Sequence, residues 1–401
     1  MTRVSEYIIR SVRAAICRER LSAPEGDFLW EEYYQWCRKN SVAGIVWYAL
    51  AEISEQIPPE ICQKFSGEQA KGIFVDMKQQ AEIAVFFAEL DKEKLPYMPL
   101  KGYFLKQRYP SPDMRYMCDL DVLIRMERHA EYEEILKRLG YTFLTESPHE
   151  LVYQKPPLMN VELHKSIVPD YETEYYAYYQ DGWSFARSCP DSSCFILGEE
   201  DFFIFLIIHL AKHYRHEGIG IRHFIDIYLL QSQLGENFDH NYFQKQLSEL
   251  RMTEFYQSVC ELLAVWFEHA PATEKTEMMT RYIIQSGTNG ELQTRNAHLN
   301  FHEQETGQSQ KMIILKKNLR LMFPTLKQLK KSFPVLEKYP FLYPVLSIYR
   351  LFRGVTFRQE RAKEMLKKTN VGNRYDYQSI KTHFQTVGLL DEKKEKKEGS
   401  E

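Results

Sequence analysis

The stretch Asp119-Leu120-Asp121-Val122-Leu123-Ile124 alternates acidic and apolar residues and then runs apolar. That is the pattern of a strand with one face buried. Residues two apart on a strand project from the same face, so the Asp119 and Asp121 carboxylates stand side by side. Working outward, Tyr97-Met98-Pro99-Leu100 is short and extended, and Lys101-Gly102 turns the chain into a brief helical stretch ending at Tyr109-Pro110. Downstream, Glu127 to Leu139 carries a helical period, and Gly140 stops it as a left-handed cap. Tyr141 to Leu144, Glu150 to Gln154 and Asn160 to His164 follow as short strands. This order predicts an α+β fold with a small mixed sheet spanning 96–189.

Helical signals flank that sheet. Residues 1–95 read as an N-terminal helical region: Phe28-Leu29-Trp30 with Tyr33, Tyr34 and Trp36 starts one apolar face, and Pro58-Pro59 opens a helix running toward Phe86-Phe87 and Leu90. In 190–307, Glu199 to Arg215, Ile221 to Leu234 and Tyr242 to Glu268 are the expected helices, and 274–307 is ambiguous. A basic helical region follows at 308–390, with Met312 to Phe323 helical and prolines at 324, 334, 340 and 344 cutting short segments. Residues 391–401 mix Lys and Glu without apolar residues and are expected to be a disordered tail.

Composition narrows the classes. With 401 residues, 44% hydrophobic and 14% aromatic, the chain can bury a large core and is not disordered as a whole. No apolar run reaches the ~18 residues needed to span a bilayer, and the arginine-dotted N-terminus predicts no secretory signal. Seven cysteines without a CxxC pair argue against a disulfide scaffold or a four-cysteine zinc site and fit a cytoplasmic protein. The net charge of −3 hides an asymmetry: 311–368 holds 15 Lys/Arg against three Glu, a balance of +12, which leaves −15 for the remainder. That segment can meet nucleic acid, an anionic surface or the acidic body of its own chain. Its frequent prolines and evenly spread aromatics favour the last over RNA or membrane.

Two adjacent carboxylates repel unless a cation lies between them, and hard oxygen donors in this arrangement suit Mg²⁺. Glu162, alone among apolar neighbours in Val161-Glu162-Leu163, becomes a third carboxylate if the strands pair. Removing one of a repelling pair should leave the melting temperature unchanged or higher. Strand parity points Cys118 into the core, away from Asp119. His209 and His213 sit at i, i+4 on one helix face, a zinc-compatible spacing. The intervening sequence lacks a metalloprotease glutamate, so these two, with His164, are expected as core or substrate-cleft histidines. Asp226, one turn after Arg222, reads as half of an intrahelical ion pair.

Taken together, Leu100-Lys101-Gly102, Arg115-Tyr116-Met117-Cys118-Asp119-Leu120-Asp121 and Val161-Glu162-Leu163-His164 resemble the nucleotidyltransferase superfamily of the DNA polymerase β type. The likeness is greatest to an uncharacterised bacterial group written Lys-Gly, Arg-x-x-x-Asp-x-Asp, Glu-Leu-His. It implies a nucleotidyltransferase core flanked by helical regions. It further implies Gly102 in the turn that faces a triphosphate, Asp119 and Asp121 as metal ligands and Glu162 as the third acidic residue. Arg115 is implied as a phosphate contact, and Lys101 stands where the superfamily usually has a turn serine or glycine, offering a point charge instead. The expected function is transfer of a nucleoside monophosphate from an NTP donor to an acceptor hydroxyl on a small molecule, protein or RNA. Two Mg²⁺ ions, or Mn²⁺ in their place, would assist. Two other readings stay open on the same fold: a non-catalytic nucleotide- or partner-binding module, and phosphoryl or phosphocholine transfer. The absence of Gly-x-Ser-x-Gly, Walker A and Rossmann glycine patterns argues against hydrolase, P-loop and dinucleotide-binding alternatives.

Overall fold

The computed structural model describes residues 2–216, 218–288, 326, 329, 333, 335–347, 349 and 377–390. The chain divides into two compact units: Met1–Lys212 with Ile219–Thr288, and His213–Gly218 with Asn289–Glu401. The expected helix at Met312–Phe323, most of the basic segment and the 391–401 tail lie outside the described residues.

The first unit opens with helices α1 (Arg3–Cys17), α2 (Trp30–Lys39) and α3 (Ala43–Leu50). The Thr2 hydroxyl caps α1 by accepting from the Ser5 N–H at 3.2 Å. Pro58-Pro59 starts α4 (Pro59–Lys92), where the missing N–H of a first-turn proline costs nothing. Ile83, Phe86, Phe87 and Leu90 near the end of α4 are buried in the core of the sheet.

That sheet comprises β1 (Tyr97–Pro99), β2 (Asp119–Ile124), β3 (Thr142–Glu146), β4 (Glu150–Lys155) and β5 (Met159–His164), in the order β1-β2-β5-β4-β3. Strands β2 and β5 are parallel, while the other pairings are antiparallel, so the sheet is mixed as expected. Helix α5 (Gly102–Leu105) follows β1, and α6 (His129–Arg138) follows β2. Gly140 has the expected positive φ, +86°, at the end of α6. Strand parity sorts the faces. Leu120, Val122, Ile124, Leu151, Tyr153, Val161 and Leu163 point into a core shared with Tyr132, Ile135 and Leu136 of α6. The other face carries Asp119, Asp121, Asn160, Glu162 and His164. Gln79 of α4 fastens the two central strands at their starts, its amide donating to Met117 O at 3.0 Å and Leu158 O at 3.5 Å.

Beyond the sheet lie α7 (Thr173–Tyr179), the hairpin of β6 (Ala186–Ser188) and β7 (Phe195–Leu197), and then α8 (Glu199–His216) and α9 (Ile221–Ser232). The hairpin is a feature that the sequence reading missed. The single helix expected over Tyr242 to Glu268 is instead α10 (His240–Glu249) and α11 (Thr253–Phe267). Arg251 between them has φ +56°, which a continuous right-handed helix does not allow. The ambiguous 274–307 begins with α12 (Glu274–Ser286), opened by a Thr273/Thr276 capping box. In the second unit the described residues include α13 (Val335–Lys338) and α14 (Tyr377–Thr386), and Tyr214 bonds His383 at 2.8 Å. No helix among the described residues is long and apolar enough to cross a membrane.

Candidate active site

The parallel register of β2 and β5 sets Asp119 opposite Asn160, Asp121 opposite Glu162 and Leu123 opposite His164. Cα partners share a face, so Glu162 stands beside Asp121, with Asp119 two residues away along the same face. Asp121, Glu162 and His164 each offer a ligand atom within 4.8 Å of the others.

Asp121 is the most constrained of the three carboxylates. Its Oδ1 accepts from the Lys101 ammonium at 3.2 Å and faces His164 Nε2 at 2.8 Å. Burial works to raise its pKa, but Lys101 and His164 outweigh burial and hold it well below the usual carboxylate range. Burial would lower Lys101, yet Asp121, Asp119 and Glu162 offset this and raise it, keeping the ammonium charged. Asp119 goes the other way, raised first by burial and then by the Asp121 charge. Glu162 rises furthest, to about 8, through burial and the neighbouring charges of Asp119, Asp121 and Glu150. Crowded carboxylate oxygens that hold protons against mutual repulsion are the donor set a hard dication relieves, so these residues fit Mg²⁺ or Mn²⁺.

The turn before the site explains two further residues. Lys101 adopts φ +37° and ψ −100°, a backbone state costing about 1–3 kcal/mol for a residue with a side chain. Its neighbour Gly102 must be small: a Cβ there would lie 2.8 Å from Arg115 Nη1 and 3.0 Å from Met117 Sδ. Arg115 cannot move aside, because its Nε and Nη2 donate to the Asp226 carboxylate at 2.7 and 2.9 Å. This fork corrects the expected Arg222–Asp226 pair. Asp226 is 3% exposed and serves Arg115 and the Tyr109 hydroxyl, while Arg222 Nη1 donates to the Tyr116 carbonyl at 2.6 Å. The pair ties α9 to the segment that leads into β2. Arg115 therefore keeps Nη1 toward Gly102, and the rest of its guanidinium is committed.

Cys118 is exposed, not buried as strand parity suggested, because it precedes β2 and Met117 takes the core position. His164 is 2% exposed and lies beneath the carboxylates. Its Nδ1 lies 3.0 Å from Nε2 of His149, a residue that the sequence reading did not single out. His149 sits just before β4, and only the pairing of β4 with β5 brings it to His164. His209 lies on α8, its ring 6.1 Å from those of Phe205 and His223, and His213 is in the last turn of the same helix.

The family described as uncharacterised nucleotidyltransferase matches residues 26–268, more than half of the chain, including the whole sheet and its acidic face. No curated protein and no solved structure matches significantly. On that match, the chain belongs to the uncharacterised nucleotidyltransferase family.

Proposed function

We propose that the protein transfers a nucleoside monophosphate from an NTP to an acceptor hydroxyl, with Asp119, Asp121 and Glu162 holding divalent cations, Mg²⁺ or Mn²⁺. The observation that carries this reading is the parallel register that sets Glu162 beside Asp121, two residues from Asp119 on the same face. Bound dications would neutralise phosphate charge and acidify the acceptor hydroxyl. The chain's own residues do the rest. Lys101 and the Nη1 of Arg115 offset negative charge on the triphosphate, and Gly102 keeps the turn low enough for phosphate to approach. His164 and Lys101 fix the Asp121 carboxylate from one side, so its other oxygen is aimed without further ordering.

In the reaction the acceptor oxygen attacks the α-phosphorus in line. A new P–O bond forms, the α–β bridging P–O bond breaks, and pyrophosphate leaves with the electron pair. The acceptor's proton passes to the Glu162 carboxylate, acting as general base. Incubating the full chain with each labelled NTP and Mg²⁺, followed by mass spectrometry of candidate small-molecule, protein and RNA acceptors, tests the reading. Pyrophosphate release with a nucleotide-sized mass gain supports it. Release of a nucleoside diphosphate would mean phosphoryl transfer, and nucleotide binding without either product would mean a binding module.

A further inference from the structure

We infer that His149, Glu150 and His164 form a binding site for a borderline transition-metal dication of the zinc class, distinct from the carboxylate set proposed for Mg²⁺. Each residue presents a ligand atom within 4.8 Å of the other two. Two imidazoles and a carboxylate are the donor types that Zn²⁺ and Co²⁺ favour, whereas Mg²⁺ favours oxygen alone.

Counting ring protons points the same way. Asp121 Oδ1 also takes the Lys101 ammonium and can only accept, so the His164 proton sits on Nε2, which faces it at 2.8 Å. In a neutral ring that leaves His164 Nδ1 as a bare lone pair. On the other ring, Ser166 Oγ lies 3.4 Å from His149 Nδ1 and spends its one hydrogen on the Val168 carbonyl at 2.8 Å. Facing His149, it can only accept, which favours the proton on Nδ1 and leaves Nε2 bare. The two inner nitrogens meet at 3.0 Å, so something positive must lie between them, either a proton carried by one ring or a metal ion. Two nitrogens on one tetrahedral zinc stand about 3.3 Å apart, so an opening of a few tenths of an ångström suffices. Each inner nitrogen would ligate while the outer N–H is held by an oxygen, the usual second contact of a metal-bound histidine.

The electrostatic setting is mixed: Asp119, Asp121 and Glu150 crowd Glu162, while Lys101 and Lys212 act against a positive charge on His149. The donors stand on ordered backbone: the Ser147 hydroxyl accepts from the N–H groups of both His149 and Glu150, and the Lys165 N–H donates to the His149 carbonyl at 2.9 Å. The competing arrangement has a proton in place of the metal, donated by His164 Nδ1–H of an imidazolium or by His149 Nε2–H.

Co²⁺ separates the two. The full chain is stripped with chelator and titrated with Co²⁺ in excess Mg²⁺, following visible d–d absorption. The expected result is one equivalent of tetrahedral-type absorption, displaced by Zn²⁺ and accompanied by a rise in melting temperature. His149→Ala and Glu150→Gln should each weaken it by about tenfold or more, and Asp119→Asn should leave it in place. Circular dichroism of each variant checks folding, and Glu150→Gln carries the test should His149→Ala not fold. No absorption in the native chain, absorption unchanged in folded His149→Ala and Glu150→Gln, or loss in Asp119→Asn alone would overturn the site.

Discussion

Asp119 and Asp121 are two residues apart and electrostatically unlike. Burial and its neighbour's charge push the Asp119 pKa up, whereas Lys101 and His164 hold Asp121 down despite its burial. The expectation that replacing either relieves repulsion therefore applies to Asp119 only. Asp119→Asn should leave the melting temperature unchanged or higher. Asp121→Asn leaves the Lys101 ammonium, whose side chain is 19% exposed, against an amide, and should cost about 1–3 kcal/mol in urea denaturation. On the proposed function both should lower turnover on the order of 100-fold or more, because each removes a carboxylate proposed to hold the dications that would neutralise phosphate charge. Equal stability effects of the two substitutions would show that the Lys101–Asp121–His164 cluster does not form.

Elements are positioned by contacts that cross long stretches of sequence, and the tie between α9 and the approach to β2 is the clearest. Asp226→Ala strands the buried Arg115 guanidinium and should cost about 3–5 kcal/mol, and Gly102→Ala about 1–3 kcal/mol through overlap with that immobile guanidinium. In the double variant the two costs should add to less than their sum, since a freed Arg115 makes room for the new Cβ. Full additivity in denaturant titrations would sink that coupling. The same kind of contact marks the limit of what the sequence discloses. The strand at Asp119–Ile124, the Pro59 helix start and the Gly140 stop are legible because each rests on local periodicity or a local backbone preference. The break at Arg251 went unseen because the apolar period continues through it, and only a backbone angle ends the helix. The β6–β7 hairpin offers three residues per strand, too few for a period to register. Within the site, the Asp119/Asp121 spacing is a local signal. The partners of Arg115 and the meeting of His149 with His164 depend on which strands and helices become neighbours, which one sequence does not specify.

For the whole molecule, these groups translate into a stability curve against pH. Glu162 has a folded pKa raised to about 8 from 4.5, so it binds its proton more tightly when folded. Its contribution to stability is present at low pH and is lost as pH climbs from about 4.5 to about 8. His149, lowered to about 3, and His383, lowered to about 4, both chiefly by burial, act oppositely. Each is disfavoured when charged, so stability falls as pH drops below their ordinary value of 6.5. Glu162 and His149 belong to the first unit and His383 to the second, so two melting transitions would assign the limbs separately. In chelator, the transition of the first unit should therefore rise by roughly 2–5 °C from pH 8 to 6.5, stay level to about pH 4.5 where the two opposed effects cancel, and fall below that. Glu162→Gln should flatten the upper limb and let the fall begin at about pH 6.5, where His149 alone then acts. Mg²⁺ should stabilise most at pH 8, where Glu162 gives up its proton most readily to a cation, and progressively less toward pH 6. A melting temperature that is flat between pH 6.5 and 8 in chelator, or a Mg²⁺ effect unchanged in Glu162→Gln, would remove Glu162 from the metal-binding set.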